Sequence, residues 1–231
     1  MTNKLETKEH QYDIVFDVEK KHGRTRFGLM VNESWNQDPK RTLFTLARYK
    51  FVAKMLSGRN KVLEIGCADA FGTRLVQQEV GHVTAVDFDP IFIADAQARL
   101  DPAWPMDCWV HDMLAGPVPG IFDAIYSLDV LEHIASDHER TFMSNLVASL
   151  ASKGVAIIGI PSLESQAYAS PQSKAGHVNC KSGKAFKSFL LDYFQNVFVF
   201  SMNDEVVHTG FYPMAHYLMA LCVSSNYIDG K

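Results

Sequence analysis

The segment most suggestive of chemistry is residues 62–72, Val-Leu-Glu-Ile-Gly-Cys-Ala-Asp-Ala-Phe-Gly, in which a hydrophobic run stops at Gly66. A strand that turns into a helix at a glycine lets a ligand approach the backbone closely, because glycine has no Cβ. About twenty residues later, Asp87 ends a second apolar run, where its carboxylate could accept hydrogen bonds from two ribose hydroxyls. Alone, these features could be an ordinary turn and a solvated acid. Together they predict a site for a ribose-bearing ligand.

Two details of the turn distinguish a nicotinamide dinucleotide from S-adenosylmethionine (SAM). A dinucleotide site has the pattern G-x-G-x-x-G, so that the pyrophosphate lies on the helix N-terminus. Here the third position is Ala68 and the sixth is Phe71. Glu64, inside the strand, would repel a diphosphate but could orient an ammonium group, and SAM carries an ammonium and no phosphate. The turn therefore favours SAM, with an NAD-dependent oxidoreductase as the alternative.

Helical and strand-like patterns alternate around this turn. Asp38 and Pro39 indicate an N-cap with proline at the first helical position, and 136–139 indicates a capping box. The spacing of apolar residues predicts helices over 39–57, 71–79, 90–100, 136–150 and 183–194. It predicts strands over 61–65, 82–86, 106–110, 122–127, 155–160, 197–202 and 216–223. This order indicates an α/β fold: a doubly wound, mostly parallel seven-stranded sheet with an antiparallel last strand and helices on both faces.

One domain is expected, because no linker rich in Pro, Gly or Ser divides residues 1–231. Residues 1–37 are polar and would form a short hairpin or an irregular cap that closes over the pocket. Residues 38–161 would form the SAM-binding core, and residues 162–231 the acceptor-side loops and closing strands. The carboxyl edge of the parallel strands should gather Glu64, Gly66, Asp87, Asp112 and Leu128.

Four segments resemble, in order, the sequence motifs of class I SAM-dependent methyltransferases. They are 62–72, 83–87, 110–113 and 122–133. The fourth has the form found in the subgroup that resembles ubiquinone-biosynthesis methyltransferases, and His177 before a predicted helix is similar to a histidine-then-helix element of that subgroup. The resemblance departs at Ala68, where the family usually has glycine. Alanine is tolerated there if its backbone keeps a negative φ.

The resemblance implies that SAM is the cofactor and that Asp112 faces its adenine amino group. Asp87 would hold the ribose hydroxyls, Glu64 would lie near the methionine ammonium, and Arg48 could pair with the SAM carboxylate. A solvated arginine on a helix face is the alternative for Arg48. The expected cofactor-binding residues are Arg48, Glu64, Gly66, Ala68, Asp87, Phe88, Asp112, Met113 and Leu128.

Two histidines are candidate catalytic residues. His133 follows the fourth predicted strand at the edge where α/β sheets bind ligands, and it could deprotonate a hydroxyl that attacks the sulfonium methyl. His177 is the second candidate; the alternatives are histidines that shape the pocket wall or cap a loop. His208 and Tyr212 could line the acceptor pocket or lie in a surface turn. His133 and His138 fit one helix face poorly, and HExxH is absent, so no metal is predicted.

The expected reaction is O-methylation of a polar small molecule, with a sugar or sugar-nucleotide suggested by the resemblance alone. The uncharged polar groups near the two histidines are unlike the apolar tunnel that a quinone or long-chain lipid needs. N-methylation of a small amine is an alternative, because Glu132, Asp204 and Glu205 could hold an ammonium group. A non-catalytic SAM-binding protein is another, since Asp87 and Glu64 argue only for binding.

Composition limits the expected partners. A formal net charge of −4 gives no basic surplus to neutralise phosphates, so nucleic acid is not expected. The N-terminus has no apolar stretch typical of a signal peptide, and the longest apolar runs, 155–161 and 217–223, are too short to span a bilayer. Four widely spaced cysteines indicate reduced thiols and a cytoplasmic protein. The sequence leaves the oligomeric state open.

Overall fold

A mixed sheet of eight strands forms the centre of the protein, whose computed structural model describes residues 5–226. The strands are β1 (Lys61–Ile65), β2 (His82–Asp87), β3 (Asp107–Val110), β4 (Phe122–Leu128), β5 (Leu150–Pro161), β6 (Phe194–Asn203), β7 (Val206–His208) and β8 (Tyr217–Ser225). Their order in the sheet is β3-β2-β1-β4-β5-β8-β6-β7. Strands β1 to β5 run parallel, whereas β8 is antiparallel to β5 and β6, and β7 is antiparallel to β6.

Helices cover both faces of this sheet. They are α1 (Ile14–His22), α2 (Leu29–Gln37), α3 (Pro39–Met55), α4 (Thr73–Gln77), α5 (Pro90–Gln97), α6 (Glu139–Ala148), α7 (Pro171–Gly176) and α8 (Gly183–Leu191). Tyr49 of α3 and Tyr126 of β4 belong to the core on one face. Phe142 of α6 and Phe186 of α8 share the core on the other face with Ile125. Ile125 and Tyr126 are neighbours in β4, and adjacent strand residues point to opposite faces.

The carboxyl ends of the parallel strands meet at one edge of the sheet. Ile65 lies opposite Val86 in the register of β1 and β2, and Leu128 lies opposite Gly159 in that of β4 and β5. The loops that follow β1, β2 and β4 therefore begin side by side. This edge is where open α/β sheets bind their ligands.

The predicted fold class is confirmed, and the sheet has one strand more than predicted. All seven predicted strands are present, and β8 is inserted between β5 and β6. The additional strand is β7, which pairs with β6 across a tight turn at Asp204, with φ +49°. A strand of three residues is too short to show the alternation by which strands are recognised.

The predicted helices end a few residues beyond the observed ones, and the helix predicted over 136–150 differs at both of its ends. The predicted capping box at 136–139 is wrong, because α6 begins at Glu139 and its N-cap residue, His138, makes no side-chain capping bond. The same helix ends at Ala148, since Leu150 already pairs with Phe122 at the start of β5.

The N-terminal segment is helical rather than a hairpin. Within residues 5–37, a short 3-10 turn precedes α1 and α2. Helix α2 is anchored to the core by the Val31 N–H, which donates to Asp69 (2.9 Å), and by the Phe27 ring, 5.4 Å from that of Phe71. Helix α1 has no buried residue, so the core imposes no clear apolar spacing on its sequence. Within the described part of the chain, no helix is long and apolar enough to cross a membrane.

Candidate functional site

The glycine turn after β1 is held against β2. The N–H groups of Gly66 and Cys67 both donate to the carbonyl oxygen of Val86, at 2.8 and 3.1 Å. Gly66 has φ +78°, and a Cβ at this position would overlap the Cγ2 methyl of Val130, in the segment after β4. Glycine is therefore required at position 66 for two reasons: its positive φ and the close approach of Val130.

Asp87 ends β2 beside this turn, with its side chain largely buried. One carboxylate oxygen accepts the N–H of Ala68 (2.9 Å), and the other accepts the N–H of Asp89 (2.9 Å). A carboxylate offers about four acceptor positions, so others remain available to a ligand. Gly66 and Asp87 thus lie at the same edge, with the carboxylate fixed at the turn.

The condition under which alanine is tolerated at position 68, a negative φ, is not met. The φ of Ala68 is +45°, and that of Ala70 is +52°. This left-handed conformation directs the Ala68 N–H to Asp87 and accompanies a bond from the Ala70 N–H to the carbonyl oxygen of Cys67 (2.7 Å). For a residue with a Cβ, the conformation costs roughly 1–2 kcal/mol. The hydrogen bonds of the turn therefore hold Ala68 in a strained backbone.

Glu64 is 1% exposed and is surrounded by hydroxyl donors. Its Oε1 accepts from Tyr49 (2.7 Å), and its Oε2 accepts from Tyr126 (2.7 Å) and from Thr73. Burial raises the pKa of the Glu64 carboxyl, against the opposing effect of the three hydroxyls. The carboxylate is thus a buried anchor that ties α3, α4 and β4 to β1, and its place near the ligand ammonium stays a prediction.

Arg48, expected to pair with the SAM carboxylate, is occupied by the protein itself. Its Nη1 donates to both carboxylate oxygens of Asp129, at 2.9 and 2.7 Å. Its guanidinium carbon lies 3.7 Å from the centroid of the Tyr217 ring. Asp129 has φ +57° just after β4. Arg48 therefore stabilises the Asp129 turn rather than offering a free cation to a ligand.

The remaining expected cofactor-binding residues differ in exposure. Phe88, next to Asp87, is 74% exposed, whereas Met113 and Leu128 are buried. Asp112 is exposed after β3, and its carboxylate accepts the N–H of Leu114 (2.8 Å). An exposed aromatic ring beside a fixed acid suits a planar base attached to a ribose.

A second polar group lies after β4 and includes two histidines. The rings of His133 and His177 are 5.2 Å apart. His133 Nδ1 lies 2.9 Å from the carbonyl oxygen of Gly176, and His177 Nδ1 lies 2.9 Å from the side-chain oxygen of Gln166. Because both oxygens only accept, each Nδ1 carries a proton, and in the neutral form of each ring the lone pair lies on Nε2. Burial, and then His133, lower the pKa of His177, which favours its neutral form.

Glu132 joins this group from a buried 3-10 turn, Leu131–His133. Neither of its carboxylate oxygens has a hydrogen-bond partner within residues 5–226. His133 Nε2 lies 3.9 Å from Glu132 Oε1. Burial and the nearby Asp129 carboxylate raise the pKa of Glu132 well above its ordinary value. Because Glu132 and His133 are adjacent in the sequence, their proximity could have been predicted. His177 belongs to a distant segment, so its proximity could not.

His208 and Tyr212, the other candidates for the acceptor pocket, are engaged locally. His208 Nε2 lies 2.9 Å from the side-chain oxygen of Asn203, and its Nδ1 accepts the N–H of Gly210 (2.9 Å). The Tyr212 hydroxyl donates to the carbonyl oxygen of Val199 (3.4 Å). These bonds favour the alternative in which His208 and Tyr212 shape the turns around β7.

Known proteins with related sequences are methyltransferases. Residues 62–154 match the family model described as a methyltransferase domain. The chain is 29% identical over 121 residues to the mitochondrial ubiquinone biosynthesis O-methyltransferase of Schizosaccharomyces pombe. This match covers 48% of this chain and 43% of that protein. It is 35% identical over 91 residues to an uncharacterised methyltransferase of Mycobacterium bovis. That match covers 38% of this chain and 44% of the relative. The chain spans less than half the length of these relatives.

Solved structures share the fold over nearly the whole chain. The N-methyltransferase NodS from Bradyrhizobium japonicum, in complex with S-adenosyl-L-homocysteine, has a TM-score of 0.60 and 19% identity over 90% of this chain and 97% of its own. A DhpI–SAM–HEP complex has a TM-score of 0.62 and 17% identity, and the match covers 94% of this chain and 99% of the DhpI chain. At these identities the likeness shows the fold. Residues 62–154 therefore match a methyltransferase domain, and the chain has the predicted fold of class I SAM-dependent methyltransferases.

Proposed function

We propose that this protein transfers the methyl group of SAM to a hydroxyl of a polar small molecule. The observation that carries the proposal is the meeting, at one edge of the sheet, of the turn at Gly66, the fixed carboxylate of Asp87 and two histidines after β4. The S. pombe relative is named an O-methyltransferase, which favours an oxygen acceptor.

SAM fits the glycine turn better than a dinucleotide does. The N–H groups of Gly66 and Cys67 are already bound to Val86, so they are not free to hold a pyrophosphate. Asp87 has acceptor positions left for two ribose hydroxyls, and the exposed Phe88 ring offers a surface to the adenine. When bound, SAM supplies a methyl group that its sulfonium has already activated.

The acceptor would lie beside His133 and His177. Each histidine has a lone pair at Nε2, which can take the proton of a hydroxyl or coordinate a metal ion. Because the methyl group is already activated, alignment of the acceptor matters more than strong electrostatic stabilisation. The two imidazoles and the Gln166 amide form a polar wall, which suits an acceptor such as a sugar.

The same proposal treats residues 1–231 as one domain in which the N-terminal segment is a cap. The contacts of Val31 with Asp69 and of Phe27 with Phe71 support this role, because they set α2 directly on the segment that follows the glycine turn. Residues 162–231 would shape the acceptor pocket, to which they contribute His177. Of these ranges, residues 1–4 and 227–231 lie outside the described part of the chain.

Calorimetry with SAM and with NAD, side by side, tests the cofactor. Asp87→Ala removes two charge-assisted hydrogen bonds worth roughly 1.5–3 kcal/mol each, so SAM affinity should fall at least about a hundredfold. Asp107→Ala removes an exposed acid of β3 and is the matched control. A preference for NAD would overturn the proposal in favour of an oxidoreductase.

Release of S-adenosyl-L-homocysteine in the presence of sugars, polyols and small amines tests the acceptor. Turnover with hydroxyl acceptors supports the proposal. Turnover with amines alone would replace it by N-methylation, and SAM binding without turnover of any acceptor would leave a non-catalytic binding protein.

A further inference from the structure

We propose that Glu132, His133 and His177 bind a divalent metal ion at the acceptor side of the site. One potential ligand atom of each residue lies within 4.8 Å of those of the other two. Two imidazole nitrogens and one carboxylate suit Zn²⁺, Mn²⁺ or Fe²⁺ better than Mg²⁺ or Ca²⁺, which prefer all-oxygen sites. The site itself rests on geometry, and its part in catalysis rests on the proposed function.

The Glu132 carboxylate lacks the partner that a buried acid requires. Its side chain is 0% exposed, and neither oxygen is hydrogen-bonded within residues 5–226. The nearby guanidinium of Arg48 is committed to Asp129 through two bonds. Burying a carboxylate without a partner is costly, and buried charges in proteins are typically paired or coordinate metals. A cation between Glu132 and the two histidines would supply that partner.

The two histidines already have the orientation of metal ligands. Histidine ligands usually donate the other ring N–H to a carbonyl or carboxylate, which fixes the ring and its tautomer. His133 does so to Gly176, and His177 does so to Gln166, each at 2.9 Å. The Gln166 amide is itself oriented, because its nitrogen donates to the carbonyl oxygen of Ser162 (3.2 Å). Both Nε2 lone pairs are thereby left for a cation.

Backbone hydrogen bonds hold the two ligand-bearing segments together. The N–H groups of Val178 and Asn179 both donate to the carbonyl oxygen of Glu132, at 2.9 and 3.0 Å. The Asn179 side chain also donates to the carbonyl oxygen of Ile134 (3.1 Å). In a tetrahedral zinc site with bonds of about 2.1 Å, ligand atoms lie about 3.4 Å apart. Small side-chain rotations on this fixed backbone would close the remaining gap.

Three protein ligands leave open positions that suit the oxygen atoms of an acceptor. A hydroxyl held there loses its proton to solvent more readily, and its oxygen then forms the bond to the SAM methyl carbon. The methyl–sulfur bond breaks, and its electron pair stays on sulfur, which gives a methyl ether, S-adenosyl-L-homocysteine and a proton. In this role His133 is a ligand rather than the general base. The acceptor class would be a vicinal diol, whose two oxygens can chelate one ion.

Titration of the metal-stripped full chain with Zn²⁺ and with Co²⁺ tests the site, by calorimetry and by the visible absorption of Co²⁺. One ion per chain is expected. His133→Ala and His177→Ala should each weaken binding at least about tenfold, and Gln166→Leu, which removes the partner of His177, should weaken it about tenfold. His138→Ala changes an exposed histidine of a neighbouring segment and should bind like the wild type.

SAM affinity, measured on the same samples, separates the two proposals. The three ligand-side variants should keep SAM affinity while losing the ion. Absence of one-to-one metal binding by the wild type, or binding that these variants leave unchanged, overturns the metal site. If the ion binds and SAM does not, the proposed function fails while the site stands. If both bind and a chelator leaves turnover unchanged, the catalytic role of the ion is overturned.

Discussion

The buried Glu64 carboxylate provides a direct test of the structure beneath the cofactor site. Tyr126→Phe removes one hydroxyl donor from Oε2 and keeps the fully buried ring. Thr73 still donates to the same oxygen, and Tyr49 still donates to the other. The variant therefore changes the hydrogen bonding of Glu64 without opening a cavity larger than a hydroxyl.

We expect Tyr126→Phe to lower the free energy of unfolding by about 1.5 kcal/mol, the lower end for a hydrogen bond to a charged group. The lower end of that energy range applies because burial already raises the pKa of Glu64. When the donor is lost, the carboxyl can therefore become protonated rather than remain charged without it. A raised folded pKa contributes stability at low pH that is lost as pH rises through it. The variant raises that pKa further, so its deficit should be larger at pH 8 than at pH 5.

Urea denaturation followed by tryptophan fluorescence measures this loss, and Tyr168→Phe, an exposed tyrosine, is the matched control. A loss of unfolding free energy below about 0.5 kcal/mol at pH 8 would equal the effect of an ordinary surface substitution. Such a result would refute the anchoring role of Glu64. SAM affinity should stay within about threefold of the wild type. A tenfold fall in affinity with unchanged stability would instead place Glu64 in contact with the ligand.

Three further variants test other contacts. Gly66→Ala combines the overlap with Val130 and a positive φ, so it should destabilise by roughly 2–4 kcal/mol and reduce SAM binding; a normal melting temperature would contradict this. Arg48→Ala should cost about 1–2 kcal/mol in urea unfolding, because it unpairs the partly exposed Asp129 and removes the cation from the Tyr217 ring, and Arg48→Lys should recover part of the loss. Phe88→Ala should lower SAM affinity about tenfold with stability unchanged within about 0.5 kcal/mol, and equal affinity would remove its ring from the adenine site.

The central strands and the glycine turn could be predicted because their signals are local. The stretch 62–72 contains most of β1 and the turn that leads into α4, and only glycine tolerates the conformation and crowding at position 66. The apolar run in β5 follows from burial of both faces. The antiparallel end of the sheet follows from β6 and β8, which have no α-helix between them.

The features that sequence reasoning missed depend on contacts between distant segments. Glu64 looks available to a ligand until the fold brings Tyr49 and Tyr126 onto its carboxylate. The sign of φ at Ala68 is set by the position of Asp87, which no local pattern encodes. The group around Glu132 likewise forms only when the chain returns after β5, and no local pattern in the sequence places His177 beside it.

The segment after β4 joins the two halves of the site. Val130 packs against Gly66, so the segment touches the glycine turn directly. One residue earlier, Asp129 is held by Arg48, and three residues later the chain reaches His133. Because methyl transfer depends on alignment to within about 1 Å, a shift of Val130 would alter the distance between donor and acceptor without changing either set of ligands. On the proposed function, the left-handed backbone of Asp129 and its ion pair with Arg48 would therefore help to set the reaction geometry without touching a substrate.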